Sequence, residues 1–151
     1  MVQIRLMPAG GEEAIQHLYD TIINKVSKDK IKNFFSEEEF SKLNSIYGER
    51  EFPIWGFEPG KVNNKVWEEE LNIGDILIFV PSNEDLIVTK LIYKIKNREL
   101  ANELWGVSKR SNQIWELILF LEILGCINLE KRNFLNKLGY SDEIICREAE
   151  M

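Results

Sequence analysis

Apolar residues recur at helical spacing near the start of the chain. The segment GEEAIQHLYDTIINKV spans residues 11–26, and such a period is typical of an amphipathic helix. Its apolar positions are Ile15, Leu18, Ile22, Ile23 and Val26. We therefore predict that the first element of the fold is a helix over most of this segment.

A second helix is indicated by the segment FFSEEEFSKL. Ser36 and Glu39 have the spacing of a capping box, and Phe35 and Phe40 stand where a hydrophobic staple would close. A short helix at about residues 37–45 follows from this signal. The pattern thus places two helices ahead of the first convincing strand.

After these helices, the sequence pattern predicts extended backbone. Residues 51–57, EFPIWGF, are predicted to be extended, because Pro53 disfavours helical geometry at Phe52. The letters EPG then indicate a turn, and KVNNKVWEEEL, residues 61–71, a short helix.

Two β-rich runs come next, DILIFVPS and LIVTKLIYKIK, separated by SNED. This arrangement is typical of a β-hairpin. Alternation in the second run places Lys90 and Lys94 on one face of the strand.

The last third of the chain reads as helix, strand and helix. RELANELWG is a short helical segment that ends at Gly106. Periodicity alone does not distinguish strand from buried helix in QIWELILFL, but its β-prone residues favour a strand that Trp115 opens. NLEKRNFLNKLGYS is predicted to form a C-terminal helix, with Asn128 as its cap and Gly139 as its stop.

Length and charge limit the function classes. At 151 residues the chain suits one domain, and the net charge of −6 argues against a protein that coats nucleic acid non-specifically. One stretch is locally basic, with six cations against two carboxylates: Lys90, Lys94, Lys96, Arg98, Lys109 and Arg110 against Glu99 and Glu103. Such a stretch is either a solvated face or an edge that meets an anion.

The sequence has little catalytic equipment. We interpret the one histidine, His17, as a surface or packing residue, and we expect Cys126 and Cys146 to be inert. No phosphate-binding loop or nucleophile–base pair can be argued. We therefore predict no catalytic residue, no metal and no cofactor. No apolar run is long enough for a bilayer, so a cytoplasmic location without membrane contact is the expectation.

Aromatic residues are the most distinctive feature. Three of the four tryptophans, Trp55, Trp67 and Trp105, stand at element ends or in loops. Each could be an ordinary core residue, since an indole buries a large area. Together they could also form a slot for a flat ligand.

The order of the motifs resembles a known group. W…PG…W, GDILIF.PS, LA..LWG, W.LI.FL and INLEKRNFLNKLGYS follow one another over about residues 52–141. This order resembles the EVE and YTH branch of the PUA-like superfamily, and more closely the modified-DNA reader domains at the N-terminus of McrB-type restriction subunits. The resemblance implies an α+β fold in which a small twisted β-barrel is flanked by helices. The chain departs from this group in the N-terminal helical pair that its apolar pattern predicts, for which we find no counterpart in the group.

The resemblance also implies the domain layout and the site. We expect a single domain over 1–151, with an N-terminal helical segment at 1–47 and the PUA-like barrel with its C-terminal helix at 48–151. By position, an aromatic cage for a flipped methylated base would be formed by Trp55 and Trp105, with Trp67 as an alternative first wall. Base-edge or loop contacts would come from Asn63, Asn64 and Ser82, and phosphate contacts from Lys90, Lys94, Lys96, Arg98, Lys109 and Arg110.

The resemblance favours N6-methyladenine as the bound base, with 5-methylcytosine as the competitor. The implied partners are methylated DNA and a restriction motor or nuclease subunit. Two alternatives stay open: an RNA-binding PUA-like module, and a protein-interaction domain whose tryptophans are all core residues.

Overall fold

The computed structural model describes residues 2–81 and 85–128. Its strands are β1 (Ile4–Pro8), β2 (Ile54–Phe57), β3 (Ile76–Val80), β4 (Leu86–Lys96) and β5 (Leu117–Ile127). Its α-helices are α1 (Glu12–Leu18), α2 (Lys28–Ile31), α3 (Glu37–Tyr47), α4 (Lys61–Lys65) and α5 (Arg98–Trp105). The π-helical turns Tyr19–Ile23 and Val66–Glu70 continue α1 and α4, and a 3₁₀ turn, Lys32–Phe34, continues α2.

The five strands form one sheet in the order β1-β3-β4-β5-β2. β1 is parallel to β3, and the other neighbours are antiparallel. The long β4–β5 pairing shifts register between Val88 and Thr89 and again between Leu91 and Tyr93. Such irregularities bend strands and increase their twist. The sheet curls into a half-barrel flanked by helices, which confirms the predicted α+β class.

β5 lies in the middle of the packing and is buried on both faces. Ile118 and Phe120 contact the cluster that includes residues of α3 and α5, whereas Leu119 and Leu121 contact the cluster that includes residues of α1. A strand covered on both sides has a continuous apolar sequence, which is why periodicity could not identify it. The predicted strand is confirmed, but it begins two residues after Trp115, which therefore does not open it.

The prediction that two helices precede the first strand is wrong. β1 comes before α1 and pairs with β3, with Leu6 opposite Ile78. Along β1 the side chain of Met7 is buried, whereas Ile4 and Leu6 are largely exposed. This edge strand gains its order from a partner about seventy residues away, so the 1–47 segment carries a strand that local patterning did not reveal.

The N-terminal boundary of α3 is as predicted. The Ser36 hydroxyl oxygen accepts a hydrogen bond from the Glu39 amide (3.2 Å), and the Glu39 carboxylate accepts one from the Ser36 amide (3.1 Å). Phe35 and Phe40 lie with ring centroids 6.5 Å apart, which completes the staple. The helix continues two residues beyond the predicted end, to Tyr47.

The remaining predictions concern the middle and the end of the chain. The extended segment, the short helix after the Pro-Gly turn, the hairpin and the helix that ends at Gly106 are confirmed as β2, α4, β3–β4 and α5. The predicted C-terminal helix, Cys146 and Ser82 lie outside the described residues. Within those residues, no helix is both long enough and apolar enough to cross a membrane.

Candidate functional site

A cavity of about 1140 Å³ opens beside the sheet on the side covered by α1. Its walls come from the end of β1, from α1, β2 and α4, and from the loop between α5 and β5. We call it the crevice. Its aromatic lining consists of His17, Trp55, Phe57, Trp105 and Trp115.

Trp105 is the last residue of α5 and is half-buried. Gly106 follows with a φ of +74°, in the left-handed region that glycine adopts without strain, and ends the helix. The Trp105 indole N–H donates to the Thr21 hydroxyl oxygen (3.2 Å), and this hydroxyl donates to the Ile54 carbonyl oxygen (2.6 Å). The indole plane is thereby fixed to β2 through the turn that follows α1.

Gly56, in the middle of β2, lies directly against the Trp105 ring. A Cβ atom at this position would stand 2.8 Å from Cζ3 of Trp105 and 2.8 Å from the carbonyl oxygen of Trp115. Glycine normally weakens a strand and marks a close approach. Because Gly56 has no side chain, the Trp105 ring can occupy the space next to the β2 backbone.

His17 is buried, with 5% of its surface exposed. Its imidazole stacks on the Trp105 ring (5.7 Å between centroids, 26° between planes) and meets Trp115 edge-on (4.1 Å). Burial lowers the pKa of His17, and the carboxylates of Glu13 and Asp20 only partly counter this effect. The predicted packing role is confirmed, and the packed residue also lines the crevice.

Trp55 forms part of the floor. It is 3% exposed, and its ring meets Phe79 and Trp115 edge-on at 5.0 and 5.2 Å between centroids. Trp115 also lies 5.9 Å from Trp105. Rings at such distances are in direct contact. Four rings of the lining therefore form a contiguous cluster, namely His17, Trp55, Trp105 and Trp115. A flat ligand would lie on the crevice side of this cluster.

Trp67 does not line the crevice, contrary to its predicted role as an alternative wall. Its indole N–H donates to the Ile118 carbonyl oxygen (3.2 Å), and the Lys94 ammonium lies 5.0 Å from its ring centroid. That ammonium also donates to the carbonyl oxygens of Trp67 and of Leu71, the latter at 2.8 Å. Trp67 and Lys94 thus stabilise the turn after α4, where two of the three N–H groups of the Lys94 ammonium are occupied.

The two predicted loop asparagines are separated. Asn63 lines the crevice, and its amide donates to the Glu58 carbonyl oxygen (2.9 Å). The side-chain oxygen of Asn64 accepts a hydrogen bond from the Gly60 amide (3.4 Å) and lies outside the lining. Only Asn63 is placed where it can contact a ligand in the crevice.

The basic stretch is also divided. Lys109 and Arg110 are exposed and line the crevice. Arg98 forms an ion pair with Glu116 (3.5 Å) away from it. Lys90 and Lys96 are exposed on β4, and neither lines the crevice.

Carboxylates on both sides of the crevice hold the loop that carries Lys109 and Arg110. The Ser108 hydroxyl donates to Glu13 (2.5 Å), and the Lys109 amide donates to the same carboxylate (3.1 Å). The hydrogen bond from Ser108 is the main cause that lowers the pKa of Glu13. On the opposite side, the Ser111 hydroxyl donates to Glu58. The loop is therefore anchored from both α1 and the segment after β2.

Sequence reasoning missed His17, Trp115, Gly56 and Glu13 as parts of this site. One local signal was present, because the glycine in Trp55-Gly56-Phe57 stands in a strand between two aromatic residues and marks a close approach. The described residues contain no group of three or more His, Cys, Asp or Glu side chains that could hold a metal ion. The aromatic rings and the polar side chains of the lining suit the crevice to stacking and hydrogen bonding.

We compared the sequence and the structure of the chain with those of known proteins. No protein-family model matches the chain, and no curated protein matches its sequence. Among solved structures, the N-terminal domain of McrB from Thermococcus gammatolerans bound to m5C DNA is similar, with a TM-score of 0.63 and 14% identity. The match covers 92% of this chain and 84% of that chain. The chain therefore has the fold of the McrB N-terminal domain, as the order of its sequence motifs implied.

Proposed function

We propose that this domain binds DNA that carries a methylated base, and that the extruded base lies in the crevice against Trp105 and Trp115. The observation that carries the proposal is the aromatic cluster at the crevice, built on a fold shared with a domain whose structure contains m5C DNA. The domain acts as a binding module. In a restriction system, a partner motor would translocate the DNA and a partner nuclease would cleave it.

The energetics suit this function. Extrusion of a base from a duplex costs roughly a few kcal/mol, and each base stacked on an aromatic side chain returns about 1–3 kcal/mol. A methyl group that is buried on binding adds about 0.8 kcal/mol. One buried methyl group therefore changes the affinity by about four-fold.

The identity of the methylated base is part of the proposal. The sequence resemblance favours N6-methyladenine, whereas the structural neighbour is bound to m5C DNA. We therefore propose 5-methylcytosine as the first ligand to test and keep N6-methyladenine as the second. Both bases combine a methyl group with an exocyclic amine, so the same crevice chemistry serves either one.

Binding titrations with matched duplexes test the function. The duplexes carry 5-methylcytosine, N6-methyladenine or the unmodified base at one position, and a corresponding RNA set is measured in parallel. We expect one methylated DNA to bind about four-fold more tightly than its unmodified counterpart. Equal affinity for all duplexes would contradict a reader of methylation. Preference for RNA would support the RNA-binding alternative, and absence of any binding would support a protein-interaction domain.

Lys109 and Arg110, the two exposed cations that line the crevice, give a separate prediction. Replacing Lys109 and Arg110 together by Gln should weaken binding to methylated and unmodified DNA alike, since phosphate contacts carry no sequence information. The slope of log K against log salt should become shallower by about 1.8, because each phosphate that is no longer neutralised accounts for about 0.9. The matched control replaces Lys90 and Lys96 by Gln, which removes the same charge away from the crevice. If this control shows the larger effect, the DNA backbone follows β4 and not the crevice rim.

A further inference from the structure

Three large apolar side chains lie at the rim of the crevice. Leu6 in β1, Val62 in α4 and Val107 after α5 line the crevice, and 64%, 73% and 49% of their surfaces are exposed. A side chain that lines the crevice and is also exposed lies where the crevice opens to solvent. A duplex whose extruded base lies in the crevice must rest against this rim, so these side chains are candidates for contact with the base stack.

Val107 lies on a rigid loop, since the residue after it is bound on several sides. Ser108 is buried, and its amide donates to the Gln113 carbonyl oxygen (2.8 Å). Its carbonyl oxygen accepts a hydrogen bond from the Asn112 amide (2.8 Å), and its hydroxyl donates to Glu13 (2.5 Å). Valine itself is stiff, because branching at Cβ restricts χ1. The loop and the side chain of Val107 therefore lose little conformational freedom when they contact a ligand.

The neighbours of Val107 in the chain are the groups that the proposed function uses. Trp105, the proposed stacking ring, stands two residues before it. Lys109 and Arg110, the exposed cations at the crevice, stand two and three residues after it. Cations that contact phosphates fix the register of a protein on the duplex. Val107 is therefore the exposed apolar side chain nearest in the chain to both groups, whereas the other two belong to β1 and α4.

We propose that Val107 enters the DNA duplex at the position that the extruded base leaves, and that it packs against the two neighbouring bases. This inference rests on the proposed function and deepens it, because it names the residue that fills the gap. Extrusion of a base exposes the faces of its neighbours and costs free energy. Proteins that unstack a base step frequently insert an apolar side chain there. Between two bases, the methyl groups of Val107 leave water and offset part of the cost of extrusion.

Two methylated duplexes separate gap filling from contact with the extruded base. Both carry 5-methylcytosine, or N6-methyladenine if the protein prefers it. In the first duplex the methylated base is paired, so its extrusion leaves a gap in the stack. In the second it is a single-nucleotide bulge, so the flanking base pairs can stack on each other and no gap forms. Val107→Ala removes two methyl groups, and we expect it to weaken binding to the paired duplex by about ten-fold and to the bulged duplex by less than about two-fold.

Val62→Ala is the matched control, because it makes the same change in a side chain that also lines the crevice and is more exposed. We expect it to keep both affinities within about two-fold of wild type. Val107→Met keeps an apolar side chain on the loop and should retain most of the affinity for the paired duplex. Thermal denaturation verifies that each variant is folded. Equal losses on the two duplexes in folded Val107→Ala, no loss on either, or a larger paired-duplex loss in Val62→Ala would overturn the inference.

Methyl resonances of the wild-type protein give a readout without any substitution. In protein labelled with ¹³C at the valine methyl groups, those of Val107 should move upfield on saturation with the paired duplex, because the ring currents of the flanking bases act on them. They should move much less with the bulged duplex, and those of Val62 should stay near their free positions. Unmoved Val107 resonances in the saturated complex would overturn gap filling and leave methylated-DNA binding intact. If the wild-type protein binds none of the methylated duplexes, the proposed function itself is wrong, and the role of Val107 is rejected with it.

Discussion

Replacement of Trp105 by Ala is expected to lower the affinity for methylated DNA by about ten- to a hundred-fold. The indole is the ring on which the extruded base would stack, and a stacked base contributes about 1–3 kcal/mol. Its position is fixed by the hydrogen bond to Thr21 and by the contact with Gly56. The ring is therefore held in position for stacking before the base arrives. Fluorescence anisotropy with a labelled duplex measures the effect.

The controls separate stacking from stability. Trp67→Phe removes an indole N–H from a tryptophan outside the crevice, and it should leave the affinity within about two-fold of wild type while lowering stability by about 1 kcal/mol. Trp105→Phe keeps an aromatic face and should retain part of the affinity. Thermal denaturation verifies folding in each case. Wild-type affinity in a folded Trp105→Ala variant would contradict the proposed site.

The second large effect is expected from Gly56→Ala. The added Cβ would collide with the Trp105 ring and with the backbone oxygen of Trp115, each 2.8 Å away. The backbone oxygen belongs to the segment next to β5 and cannot rotate aside, so the substitution overpacks this contact. We expect the free energy of unfolding to fall by about 1–3 kcal/mol. The remaining folded protein should bind methylated DNA more weakly because its Trp105 is displaced.

Gly60→Ala is the matched control. A Cβ at Gly60 meets nothing within 4 Å, and the backbone there is extended. Urea denaturation should therefore show a change of no more than about 0.5 kcal/mol for this variant. Equal stability and equal DNA affinity of Gly56→Ala and wild type would show that Trp105 does not need the close approach of β2.

The fold could be predicted where local chemistry determines it. The Ser36–Glu39 capping box and the β3–β4 hairpin both carry their signal within a few residues, and both are confirmed. β1 could not be found in this way. Its Ile4 and Leu6 face outward, and the strand is ordered by the distant β3 and by a hydrogen bond from the Gln3 amide to Asp75 (3.2 Å).

The site could be predicted only in part. Trp55 and Trp105 both reach the crevice, although Trp55 lies in its floor. The sequence does not indicate that His17 and Trp115 belong to a site, since nothing near them in the chain shows that α1 and the loop before β5 meet. Trp67 and Lys94 stand near the motifs that imply ligand contacts, but they bind each other at the turn after α4.

The location of the base in the crevice is tested most directly by the indole N–H resonances of the four tryptophans during titration with a 5-methylcytosine or N6-methyladenine duplex. Trp105 and Trp115 should shift strongly. Trp67 should stay unchanged, because its N–H is bound to the Ile118 carbonyl outside the crevice. Saturable binding that leaves the Trp105 and Trp115 resonances in place, or that moves only Trp67, would contradict the account.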